Sequence, residues 1–233
     1  MASNMLNLSL SSTLREVTFA GDSVLLSGQM DYPQRPVPKE GFPLLFILHD
    51  AQCTTRERYI AHAQVALENG FAVFRWDKRG TGRSGASARG STIQDAVNAW
   101  EIALSQPSIQ RRRAVILANG AGTGVIGSAF GLFARIQRPY AVGLIASALD
   151  ETAILAIDAP VHIVMSADDW NDPARYATAA ANAHNASYPH GATYAVVPGA
   201  DRLLLDEHGS LYPEAREAVS DWLNDILHPS PSI

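Results

Sequence analysis

Cysteine is all but missing: Cys53 stands alone in 233 residues. One thiol cannot close an internal disulfide, which excludes a disulfide-stapled scaffold and fits a reducing compartment. Long apolar runs are missing too. Stretches such as 44–48 and 114–118 have the length of a strand and fall far short of the roughly 20 residues a bilayer requires. The first ten residues lack a basic region followed by an apolar core, so no secretory leader is expected and a cytoplasmic location is. Basic charge is in deficit, with 18 Lys and Arg against 23 Asp and Glu and a formal net charge of −5. An acidic surface repels phosphate backbones, and the one basic run, 111–113, reads as a solvated approach to a strand. No nucleic acid partner is expected. No Cys/His grouping has metal-ligand spacing, so no metal is expected either. Internal repeats and Gly-, Ser- or Pro-rich linkers are lacking. The chain therefore reads as one domain over 1–233, frayed at 1–13 and 229–233.

What is present is a globular balance, 47% hydrophobic and 18% charged, enough to build a large core. Short apolar runs alternate with helical patterns. Thr18 and Phe19 with 24–30 read as an opening hairpin turned at Gly21-Asp22. The continuous run 44–48 has the pattern of a strand covered on both faces. Helical spacing over 58–69 (Tyr59, Ala63, Ala66, Leu67) ends at Gly70, and 71–76 is the next strand. A helix over 91–105, capped at Ser91 or Thr92, precedes a strand at 113–118. A small-residue helix follows over 121–135, then strands at 141–146 and 161–165. A helix at 173–184, a strand at 193–197 and a helix at 213–227 close the pattern. Strands separated by such helices require right-handed crossovers, which build a mostly parallel central sheet with helices on both faces.

In an open sheet of this kind ligands sit beyond the carboxyl ends of the strands. The residues there are His49-Asp50-Ala51, then 77–84 (Asp-Lys-Arg-Gly-Thr-Gly-Arg-Ser), Asn119-Gly120-Ala121-Gly122, Asp168-Asp169, and Pro198-Gly199-Ala200-Asp201-Arg202. This series resembles the α/β-hydrolase family, in particular small serine-hydrolase relatives that carry the 77–84 segment. The resemblance runs from about Leu44 to Leu227. It implies the α/β-hydrolase fold without a lid domain, because the 147–160 interval, where relatives often insert one, is short. It also implies a nucleophile on the G-x-S-x-G elbow, then an acid, then a histidine.

Here the elbow reads Ala118-Asn119-Gly120-Ala121-Gly122, so Gly120 holds the nucleophile position. Asp169 retains the acid, and Arg202 stands at the histidine position. Glycine has nothing to attack with, and arginine stays protonated and cannot accept the nucleophile's proton. Acyl-enzyme hydrolysis is therefore not expected. By resemblance the oxyanion hole needs only the backbone N–H groups of Ala121 and Ala51, with His49, Asp50 and Asn119 around it. Gly120 would leave a void that admits a larger ligand. Asp50 would oppose an oxyanion unless it points outward. Restoring Gly120→Ser with Arg202→His is expected to create an esterase on an intact scaffold.

Several residues keep two readings. Arg202 either pairs with Asp169 or grips an anionic substrate. His208 is a substitute base or a solvated loop residue. Cys53 is a thiolate nucleophile helped by Arg56 or Arg58, or a small buried hydrophobe. Asp77, Arg79 and Arg83 read as bridges between loops, and His162 as a satisfied sheet histidine. Gly122, Gly124 and Gly127 match dinucleotide spacing, but they lie inside a helix after the wrong strand, so no cofactor is expected. The function expected is a non-hydrolytic enzyme, of lyase, isomerase or cyclase type, using the oxyanion pocket on a carbonyl-containing small molecule. The alternatives are a catalytically silent small-molecule binder, and an esterase-like hydrolase with Asp169, Asp50 or His208 as a non-standard base.

Overall fold

A computed structural model describes residues 12–52, 54–147, 149–169 and 172–228. Its strands are β1 (Ser12–Ala20), β2 (Leu25–Pro33), β3 (Phe42–Leu48), β4 (Ala72–Trp76), β5 (Ile109–Asn119), β6 (Val142–Ile145), β7 (Val161–Ser166) and β8 (Ala192–Val197). Its helices are α1 (Ile60–Glu68), α2 (Thr92–Ser105), α3 (Ala121–Gln137), α4 (Glu151–Leu155), α5 (Pro173–Ser187) and α6 (Pro213–Leu227). The strands form one sheet in the order β1-β2-β4-β3-β5-β6-β7-β8. β1 and β2 run antiparallel to each other, as do β2 and β4, while β4 through β8 are parallel.

The side-chain period of two splits each central strand between two cores. Leu44, Phe46 and Leu48 face a cluster with α2 and α3, built around Trp100 and Phe133, whereas Leu45 and Ile47 face α1 and α6. Phe46 stacks on Phe74 with centroids 6.1 Å apart and takes the edge of Trp100 at 5.4 Å. The helix over 91–105 is α2, and Ser91 is its cap, its side chain accepting from Gln94 N. In the 147–160 interval the helix among the described residues is the short α4, capped by Asp150. No helix among the described residues is long and apolar enough to cross a membrane.

Among the boundaries that differ from expectation, the starts of β1 and β5 shift furthest. β1 begins at Ser12, so Ser12 and Thr13, expected in a frayed terminus, pair with Pro33 and Tyr32. β5 begins at Ile109, so the arginines at 111–113 lie within the strand. Residues 1–11 and 229–233, also expected to fray, lie outside the described residues.

A buried ion pair ties β2 to β4. Arg75 Nε and Nη2 both donate to Asp31 Oδ2, at 2.9 and 2.7 Å, and both side chains are at most 2% exposed. Removing one partner strands a desolvated charge. Asp31→Ala is expected to cost about 3–5 kcal/mol, read as a lower urea midpoint with unchanged m. Asp31→Leu combined with Arg75→Met is expected to recover most of that loss.

Candidate functional site

The site lies where β3, β4 and β5 end and α3 begins. β5 closes at Asn119, and Gly120 turns the chain with φ 50° and ψ −115° before α3 starts at Ala121. That turn is fixed from both sides. Gly120 N donates to Ile145 O at 2.9 Å, and Thr123 Oγ1 donates to Gly120 O at 2.7 Å. The chain therefore turns sharply from strand to helix on a residue with no side chain. Asn119 is fully buried and donates through Nδ2 to Leu48 O at 3.2 Å, tying β5 to β3.

Asp50 decides the chemistry of this corner. Its Oδ1 accepts a hydrogen bond from Ala121 N at 2.9 Å, the N–H expected to serve an oxyanion. A Cβ placed on Gly120 would stand 2.0 Å from that oxygen and 2.5 Å from Asp50 Cγ. The carboxylate thus fills the space a nucleophile side chain would take, and only glycine fits beneath it. This corrects two expectations: the void at Gly120 is filled, and Ala121 N–H is occupied; of the two orientations left open for Asp50, the inward one is found. Asp50 is anchored along its backbone as well. Its N–H donates to Tyr59 Oη at 2.7 Å and its carbonyl accepts from Lys78 Nζ at 2.8 Å. Neither Tyr59 nor Lys78 was singled out from the sequence, because both act through distant partners.

A cavity of about 210 Å³ lies against Ala121 and against His49 and Ala51, the chain neighbours of Asp50. Leu48, His49, Ala51, Trp76, Ala96, Ala121, Gly122 and Val125 line it, and Lys78, Arg79, Thr92 and Asp95 supply its polar wall. Ala51, the second expected N–H donor, is exposed there. His49 is 2% exposed and wedged edge-on between Trp76 and Tyr59. Burial foremost, with the charge of Lys78, pushes its pKa down to about 3, against the opposing pull of a hydrogen bond to the Trp76 carbonyl. The ring is neutral, and because a carbonyl can only accept, Nε2 carries the proton at 2.5 Å from Trp76 O. Its geometry is that of a scaffold residue.

The segment 77–84 holds the loops around the cavity. Fully buried Asp77 accepts from Arg56 N and Arg83 N, each at 2.9 Å, while Ser84 Oγ donates to its carbonyl. Arg79 Nε donates to Asp95 Oδ2 at 2.7 Å, joining the segment to α2. Arg56, one of the cations named beside Cys53, is buried and donates to Glu16 and to Gly28 O. Cys53 itself lies outside the described residues.

The loop after β8, where the resemblance places the histidine position, folds inward on leucine. Asp201 Oδ1 accepts from Leu203 N and Leu205 N, folding a tight turn that buries Leu203, Leu204 and Leu205. Arg202 is left exposed. Among the described residues no ion pair joins it to Asp169, which has a partner of its own. The apolar run 203–205 was the sequence signal that this loop turns inward on leucine. His208 sits at the exposed tip of a second turn, closed by Asp206 Oδ1 accepting from His208 N and Ser210 N, with Glu207 3.6 Å from its Nε2. His162 is held by Thr193 Oγ1 at 2.7 Å and stacks on Trp222. No group of three or more His, Cys, Asp or Glu that could hold a metal occurs among the described residues.

Sheet order, crossovers and elbow together define the α/β-hydrolase fold, and solved structures agree. An esterase of Pyrococcus furiosus superposes with a TM-score of 0.70 at 14% identity, over 96% of this chain and 95% of that one. Est1E of Butyrivibrio proteoclasticus, solved with ferulic acid, gives 0.67 at 17% identity, over 91% and 99%. A dienelactone hydrolase of Anabaena variabilis gives 0.60 at 16% identity, over 93% and 97%. At these identities the likeness is one of fold. No protein-family model matches the sequence, and no curated protein matches it.

Proposed function

We propose that this chain is a non-hydrolytic enzyme on the α/β-hydrolase fold, acting on a small, largely apolar carbonyl compound by lyase, isomerase or cyclase-type chemistry. The observation that carries the reading is the carboxylate of Asp50 seated over Gly120 against the amino end of α3. A carboxylate there can move protons, whereas acyl-enzyme formation needs a hydroxyl that position 120 does not offer. The apolar cavity beside it suits a compact substrate, and the Lys78 ammonium on its wall can balance charge on a carbonyl oxygen.

Two other readings have specific support. Occupation of Ala121 N–H by Asp50 favours a silent binder, since an internal group already holds the site a substrate oxygen would use. The names of the structural neighbours, an esterase and a dienelactone hydrolase, favour hydrolysis with a non-standard base such as Asp50. A fluorophosphonate probe with a p-nitrophenyl acetate assay separates hydrolysis from the rest. The expected result is no labelling and ester cleavage at the buffer rate. Stoichiometric labelling of a serine would defeat the proposal.

A further inference from the structure

We infer that Asp50 is the proton-transferring group of this site, and that the protein shifts a proton at the carbon beside the carbonyl of a compact apolar substrate. This rests on the reading of the cavity as a site for carbonyl compounds. Asp50 could merely cap α3, whose own N-cap, Gly120, has no side chain to do so. The arrangement exceeds what a cap requires. The carboxylate is anchored by Ala121 N on Oδ1, by Tyr59 on its backbone N–H and by Lys78 on its carbonyl, while Oδ2 has no hydrogen bond among the described residues. Its chain neighbours His49 and Ala51, together with Ala121, line the cavity. One oxygen is thus fixed and the other carries no hydrogen bond among the described residues, on a residue whose chain neighbours line an apolar space. Glycine at 120 is the condition for this placement, since a Cβ would come within 2.0 Å of Oδ1.

The step conserves atoms and electrons. Oδ2 takes the proton from the α-carbon, the C–H electron pair becomes the enolate double bond, and the carbonyl π pair moves onto oxygen. The charge on that oxygen faces the Lys78 ammonium. The carboxylic acid then returns its proton to the same carbon or to a conjugated one, giving the exchanged or the isomeric carbonyl compound. Nothing is oxidised or reduced, and no water is consumed.

The test uses 2-indanone in D2O, following loss of its α-hydrogens by proton NMR and its binding by ligand line-broadening. Wild-type protein is expected to speed exchange at least 100-fold over buffer. Asp50→Asn keeps an acceptor for Ala121 N and so keeps the cap. It is expected to lose that acceleration at least 100-fold while binding 2-indanone within about 3-fold of wild type. Val125→Trp, which fills the cavity, is expected to lose both binding and exchange. Should Asp50→Asn not fold, Gly120→Ala displaces the carboxylate without altering it and is expected to lose exchange likewise. Exchange by Asp50→Asn at the wild-type rate would overturn the role of Asp50 and leave an enzyme with another base. Binding by wild type without exchange would overturn it and leave a binder. Absence of both would overturn the carbonyl-site reading along with it.

Discussion

Gly120→Ser with Arg202→His is expected to produce a less stable protein and no esterase, although these changes rewrite the two triad positions that differ from the resemblance. The cause is Asp50. The serine Cβ would lie 2.0 Å from Asp50 Oδ1, so either the carboxylate leaves Ala121 N or the elbow distorts. A non-glycine residue at φ 50° and ψ −115° adds backbone strain. Strain and overpacking together give a cost of roughly 2–6 kcal/mol. In a chain of this length each kcal/mol lowers Tm by about 2–4 °C. The imidazole at 202 inherits an exposed position on a turn whose buried side is filled by Leu203, Leu204 and Leu205. Adding Asp50→Gly removes the collision and is expected to recover most of the lost stability, leaving only the elbow strain. Thermal melts of the single, double and triple variants check this. A Gly120→Ser protein melting within about 2 °C of wild type would show that Asp50 does not hold the position described.

How far such a site can be read from sequence depends on what kind of contact makes it. β3 was legible because its neighbours cover both faces and force a continuous apolar run. α2 was legible from its cap and spacing. β1 was legible only in part: as an edge strand it is largely exposed, so no alternation marks residues 13–17. The arginines of β5 hid the strand's start for a similar reason, being only partly covered. At the site, Gly120, Asp50 and Arg202 each stood out singly against the resemblance. Their relation did not, because a carboxylate's aim is set by contacts between segments 71 residues apart, from Asp50 to Ala121. Tyr59 and Lys78, which fix that aim, look like an ordinary helix-entry aromatic and a surface lysine. The leucines at 203–205 could have been read as the reason Arg202 points outward, since an apolar run in a loop must bury or aggregate.

Stability is expected to fall steeply as pH drops below 6.5, with a cooperative acid transition centred between about pH 5.5 and 4. Three buried histidines drive it. Burial pushes His49 down to about 3, and His62 and His162 each down to about 4; Lys78 beside His49 and Arg58 beside His62 push the same way. Unfolded, all three return to about 6.5. The sign follows from proton counts. Between pH 6.5 and 4 the unfolded chain binds these protons and the folded protein does not, so acid favours unfolding and the stability is present above 6.5. Each histidine then removes about 1.4 kcal/mol per pH unit, and three together remove about 4. Over the roughly 2.5 pH units from 6.5 to 4 that sums to about 10 kcal/mol, comparable to a typical total of about 5–15 kcal/mol. The urea midpoint measured from pH 7.5 to 4.5 reads it directly. His162→Phe keeps the stack on Trp222, gives up the bond to Thr193, and removes one of the three titrations. Its stability is expected to be lower at neutral pH but to decline with a slope about one third shallower. A wild-type midpoint that stays flat from pH 6.5 to 5 would mean these rings are hydrated or charged in the folded protein, contrary to their burial.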